Sequence, residues 1–149
     1  MILNIIKHPN PVLRNKSREL KREEILNSDF KNFIENLGET MLKKDGIGLA
    51  APQVYKNIRA IVVNLKNSAV CFINPKIIKK SWLKNIIEEG CLSIPGVFGK
   101  VKRHNSVVIK YLDLNADLKK LKAKNLFARV LQHEIDHLNG VLFIDKVIK

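Results

Sequence analysis

The sequence predicts an α+β fold in one domain spanning residues 1–149. Three observations carry this. An amphipathic helical stripe precedes residue 42, a strand-rich stretch fills the middle, and a second helical stripe closes the chain. A chain of 149 residues suits one domain with one substantial core. No internal repeat, low-complexity linker or composition break divides it.

The elements follow in order. Pro9-Asn10-Pro11-Val12-Leu13 reads as a turn leading into a short helical piece. Ser28 or Asp29 is expected to cap a helix whose apolar positions Phe30, Phe33, Ile34, Leu37 and Met41 share one face. Asp45-Gly46 ends it, and Gly46-Ile47-Gly48 reads as a loop with a relaxed backbone. Arg59 to Leu65 and Ala69 to Ile78 predict strands joined tightly at Asn67-Ser68. Ile86 to Glu88, Val107 to Leu114 and Leu118 to Ala123 predict further strands, the last with a solvated lysine face. Asn125 is the expected cap of a helix from Leu126 to Leu138, with Asn139-Gly140 as its stop. The apolar Val141 to Ile144 run reads as a buried strand or coil.

Composition narrows the class. Apolar content of 46% is ordinary for a globular protein, and no stretch reaches the ~18 apolar residues of a membrane span. The first residues lack the pattern of a secretory signal, so the expectation is a cytoplasmic protein, or an organellar one in a eukaryote. Two cysteines do not make a disulfide scaffold: Cys71 sits in an apolar run as a core thiol, whereas Cys91 follows Gly90 in a less regular setting. A net charge of +13 biases encounters towards polyanions. Yet no zinc-finger or helix-turn-helix pattern is present, and no aromatics alternate with the basic residues.

The chemistry concentrates in His133-Glu134-Ile135-Asp136-His137. Positions i and i+4 of a helix share a face, so both imidazoles can reach one metal ion while Glu134 reaches a water beside it. Leu126, Val130, His133, Glu134 and His137 fall on that face; Phe127, Leu131, Ile135 and Leu138 fall on its neighbour. A helix apolar over so much of its circumference is buried. Buried without partners, two histidines and a glutamate would cost several kcal/mol, order of magnitude. A catalytic site of this type takes three protein ligands. Cys91 is the candidate for the third, beside Gly90, with His104 and His8 as alternatives that nothing nearby places.

Three segments together resemble the peptide deformylases: Gly46-Ile47-Gly48-Leu49-Ala50-Ala51-Pro52-Gln53, then Glu89-Gly90-Cys91-Leu92-Ser93, then Gln132-His133-Glu134-Ile135-Asp136-His137-Leu138. The resemblance implies a compact fold in which antiparallel strands surround a central helix bearing the two histidines. It implies a metal-dependent hydrolase that removes the formyl group from formyl-methionyl nascent peptides and releases formate. By position, Cys91, His133 and His137 would hold one divalent ion, Fe²⁺ by preference, with Zn²⁺, Ni²⁺ or Co²⁺ also suiting the donors. Glu134 would be the acid/base, and Gln53 with the backbone N–H of Leu92 would bind the oxyanion. Ile47, Gly48 and Gly90 would line the peptide cleft, and Leu126 and Val130 the methionine pocket. A monomer is expected, with weak ribosome association through its basic surface. Phe98 departs from the family, standing where some members carry an arginine. Two rivals share part of the pattern: a zinc endopeptidase, and a basic RNA-binding module with a structural metal. The cysteine ligand and the first glycine-rich segment argue against the former; the presence of Glu134 and Gln53 argues against the latter.

Overall fold

The computed structural model describes residues 1–149. Pro11–Arg14 forms a 3-10 turn, followed by the short helix α1 (Arg22–Ile25) and the long helix α2 (Ser28–Lys43). Seven strands come next: β1 (Gly48–Ala50), β2 (Ala60–Leu65), β3 (Ser68–Lys80), β4 (Lys84–Cys91), β5 (Ile94–His104), β6 (Ser106–Leu112) and β7 (Leu118–Lys124). Helix α3 (Asn125–Leu138) and a 3-10 turn, Phe143–Asp145, complete the chain.

A five-stranded antiparallel sheet runs β1-β2-β3-β6-β7, and β4 and β5 form a separate hairpin. Strand β2 is buried on both faces because a helix covers each. Ala60 and Val62 meet Ile34, Leu37 and Met41 of α2, while Ile61 and Val63 meet Val130, Leu131 and Ile135 of α3. Alternate side chains of one strand therefore feed two cores. A third cluster, around Leu13, Ile94, Val101, Leu142 and Phe143, seals the hairpin and the C-terminal turn.

The structure corrects several expected boundaries. Asn27, rather than Ser28 or Asp29, caps α2 by accepting from the Asp29 N–H at 2.8 Å. Asn125 is the first residue of α3, not its cap. The link between β2 and β3 is Lys66-Asn67, both at positive φ (53° and 65°), as a two-residue hairpin requires. Gly48 opens a strand rather than ending a loop. In the Val141 to Ile144 run, Val141 and Leu142 are coil, as one of the two expected readings has it, and Phe143 and Ile144 enter a 3-10 turn.

The largest omission is β5, which the sequence does not announce. Pro95, Gly96 and Gly99 interrupt it, and only alternate residues such as Val101 and Arg103 turn inward. Gly99 is required by packing, since a Cβ there would lie 2.6 Å from the Val147 side chain.

Candidate metal centre

Helix α3 passes between the sheet and the hairpin, and Cys91 ends β4 immediately before the hairpin turn. This brings the Cys91 thiol and the two imidazoles together, their donor atoms all within 4.8 Å of one another. Cys91 Sγ lies 3.3 Å from His137 Nε2. His137 is 1% exposed, and its Nδ1 has no partner in the chain. His104, one alternative ligand, instead directs Nδ1 to the Ser81 carbonyl at 2.9 Å, and His8 is exposed.

Glu89 organises the centre from behind. Its carboxylate accepts from His133 Nδ1 at 2.9 Å, from Arg103 Nε at 2.6 Å and Nη2 at 3.0 Å, and from Arg129 Nη1. The bond to Nδ1 fixes the ring and turns His133 Nε2 towards Cys91 and His137, the arrangement by which a carboxylate orients a histidine ligand. Arg103 also donates to Asp136 at 2.8 Å, and Arg129 to the Val101 and Asn85 carbonyls. Burial alone would raise the Glu89 pKa. The bonds from His133 and Arg103 outweigh it and hold the group down at about 2.

The histidines diverge. Burial opposes a charge on His133, but the Glu134 charge and the contacts with Cys91 and Glu89 prevail and lift it to about 10. Burial, then the positive charges of His133 and Arg103, push His137 well below its usual range. The surrounding carboxylates thus favour a proton on His133, while burial favours the neutral form of His137. A thiol, an imidazole aimed by a carboxylate and a buried neutral imidazole fit a divalent ion, which would take the place of the His133 proton.

Glu134 has the opposite environment to Glu89. Burial raises its pKa to about 7 against the lowering effect of His133 and Arg103, and its Oε1 has no hydrogen-bond partner. Gly48 makes room for it: a Cβ there would stand 2.7 Å from Glu134 Oε2 and 2.9 Å from Val130 Cγ1.

Glu134 and His133 open onto a cleft of about 460 Å³. Ile47, Gly48, Gln53, Gly90, Cys91, Leu92, Leu126 and Val130 all line it; His137 sits beneath it. The cleft lies between two free strand edges, because β1 is the last strand of its sheet and β4 pairs only with β5. The Ile47 carbonyl already accepts from Asn64, so ladder alternation turns the Gly48 N–H and C=O outwards. Gly90 allows the Phe98 ring to lie across the backbone, where a Cβ would come within 2.7 Å of it.

Gln53 is 1% exposed and held as a unit. Its Oε1 accepts from Ala50 at 2.9 Å, and its Nε2 donates to Ser93 Oγ at 3.0 Å and lies 3.5 Å from Cys91 Sγ. The Leu92 carbonyl accepts from Lys7 Nζ, whereas its N–H donates to no group of the chain.

The structure brings Cys91, His133, His137, Glu134, Gln53, Leu92, Ile47, Gly48, Gly90, Leu126 and Val130 together, leaves His104 and His8 outside, and adds four residues that the sequence did not single out: Glu89, Arg103, Arg129 and Asp136. One signal was available. The chain has six arginines against 21 lysines among its 27 basic residues, and five of the six make multidentate or carbonyl-bridging bonds through the guanidinium fork.

Comparison with known proteins agrees with this architecture. The polypeptide deformylase family model matches residues 2–149. A peptide deformylase of Dictyoglomus turgidum is 40% identical over 149 residues, covering all of this chain and 95% of that protein. The crystal structure of peptide deformylase from Thermotoga maritima superposes with a TM-score of 0.95 at 36% identity, covering 100% and 99% of the two chains. A Met-Ala-Ser-bound class I type b peptide deformylase from Acinetobacter baumannii superposes with a TM-score of 0.90 at 34% identity, covering 99% of each. A Cys-His-His cluster under a strand-edged cleft, on a fold shared from end to end with such proteins, places this chain in the polypeptide deformylase family, the metal-dependent enzymes that remove the N-formyl group from nascent peptides.

Proposed function

We propose that Cys91, His133 and His137 hold one divalent ion, Fe²⁺ by preference, and that Glu134 is the acid/base of deformylation. The observation that carries this reading is the contrast around Glu134: a buried carboxyl raised to about 7, with an unpartnered oxygen at the cleft beside the three donors. When bound, the ion would act as a Lewis acid, lowering the pKa of a coordinated water and polarising the formyl carbonyl.

The chain's residues do the rest. Glu134 takes the proton of the attacking water and later returns it to the leaving amine, so that formate and a free N-terminus result. The Leu92 N–H and Gln53 Nε2 donate to the oxygen of the formyl carbon as it becomes negative, each worth ~3 kcal/mol if well aimed. For this Gln53 must release its contact with the Cys91 sulfur while keeping the Ser93 bond. The peptide adds as a strand between the edges of β1 and β4, with Gly48 and Gly90 supplying backbone groups and Ile47 a flank. Leu126 and Val130 take up the methionine side chain. The Met-Ala-Ser bound to the Acinetobacter relative has the sequence expected of a deformylated product.

No helix of the structure is long and apolar enough to cross a membrane. We further propose that the protein is a cytoplasmic monomer and docks weakly on ribosomes through its positive charge. Residues 1–149 would act as a single catalytic domain.

Formate release from a formyl-methionyl peptide after anaerobic purification, with metal analysis, tests the ligand set. Cys91→Ala is expected to lose metal and activity together, while Cys71→Ala keeps both. The reverse pattern would assign the wrong cysteine.

A further inference from the structure

The sheet face turned away from α3 is bare beyond the reach of α2, and it is paved with lysine. Strand pairing places Lys76, Lys110 and Lys120 directly opposite one another across β3, β6 and β7. The next row holds Lys79 and Lys122 on either side of Val108, and Lys124 follows opposite Ser106. Opposed residues share a face, and alternation turns Ile109, Leu121 and Ala123 to the α3 core, so these six lysines project outwards together. All six are exposed, and none makes an ion pair. The three strands contain no acidic residue.

Like charges directly opposed on neighbouring strands destabilise a sheet. The natural remedy is a polyanion laid across the rows, which run about 4.8 Å apart between strands and about 6.7 Å apart along them. At the end of the array stands Trp82, the only tryptophan, 94% exposed. It is displayed rather than loose. Ser81 bonds Ser106 through both its N–H and its hydroxyl, and the Leu83 carbonyl accepts from Asn105. An indole beside a lysine array offers a stacking surface for a base next to a track for phosphates.

We infer that the outer face of β3, β6 and β7, with Trp82 at its rim, binds a single-stranded stretch of polynucleotide. The members lie on three separate strands, so no linear pattern of alternating basic and aromatic residues reveals them. A membrane surface fits less well: besides Trp82 and Leu83 at the rim, the large apolar side chains exposed on these strands are only Ile78, at the β3 bulge, and Leu118, at the far end of β7, too scattered to form one inserting body. None of the six lysines lines the catalytic cleft. The inference gives a location to the electrostatic docking proposed above and rests on it.

The probe is a short oligouridylate titrated into the full chain, read by Trp82 fluorescence and repeated across a salt series. Quenching is expected, with affinity falling by about 0.7 log units per log unit of salt for each phosphate neutralised. The double variant K110E/K120E should bind about tenfold more weakly or worse, whereas K31E/K44E, with the same charge change on and just after α2, should stay within about twofold. All variants should keep wild-type turnover of a short formyl-methionyl peptide, which shows that they are folded. Equal losses from both double variants would overturn the inference in favour of diffuse attraction. So would duplex RNA binding as tightly with no change at Trp82, or a blue shift on phosphatidylserine vesicles without quenching by the oligonucleotide. Ribosome co-sedimentation that survives K110E/K120E would overturn this surface while leaving ribosome docking itself intact.

Discussion

The rear wall of the metal centre and the wall of its cleft treat a buried carboxylate in opposite ways. Behind the histidines, Glu89 is saturated with donors and held at about 2. Facing the cleft, Glu134 has an oxygen with no partner and is raised to about 7. Both residues are buried, at 7% and 3% exposure. Burial pushes both pKa values up, and only Glu89 has the hydrogen-bond donors to outweigh it. A carboxylate that cannot gain a proton near neutrality orients its neighbours, and one poised near neutrality can exchange a proton with substrate.

Breaking the rear wall should have the largest effect on the fold. Glu89→Ala leaves Arg103 and Arg129 buried without their shared counter-charge. A loss of about 3–5 kcal/mol is expected in denaturant unfolding, because an orphaned buried charge is costlier than an absent pair. Glu89→Gln, which keeps the shape, should still weaken metal binding by about 10–100-fold through the loosened His133 ring.

The same contrast predicts acid behaviour. The folded pKa of Glu89 lies below its ordinary value of 4.5, so its contribution to stability is present above that value. It is lost as pH falls from about 4.5 to about 2. His133 has the opposite sign. Raised from 6.5 to about 10, it stabilises the metal-free protein fully below 6.5, and that contribution fades as pH rises towards 10. Metal-loaded protein should not show the alkaline decline, since the ion replaces the proton. Thermal melts of both forms across pH check this.

A smaller perturbation reaches the cleft wall alone. Gly48→Ala sets a methyl against Glu134 Oε2 and Val130 Cγ1. Metal content should persist while turnover falls about 100-fold, the scale of a misplaced catalytic group. Cys71→Ala should do least, costing about 1 kcal/mol or less in stability with no change in activity. Burial pushes that thiol up to about 12, so it is inert.

What the sequence made legible follows from how local each signal is. His133, Glu134 and His137 were readable because one helix turn sets their geometry, and Cys91 because its motif is contiguous. Gly48 and Gln53 came with the resemblance, but the reason for Gly48 is the room it leaves for Glu134, a contact across 86 positions. Glu89 lay inside a recognised motif without its role showing, because its partners Arg103 and Arg129 arrive from a strand and a helix far along the chain. Strand β5 was hidden by its own glycines and proline, and with it the inward position of Arg103. The lysine array was equally invisible, since only strand register sets its rows.

The central claim is that Glu134, not Glu89, handles the proton. Its most direct test is the pH dependence of kcat for Glu134→Gln, measured with metal content on the same samples. A full complement of metal and a fall of about 10³ in kcat are expected. The Glu134 ionisation should also vanish from the kinetic pH profile that wild type shows. Wild-type kcat in that variant, or a fall explained wholly by lost metal, would contradict it.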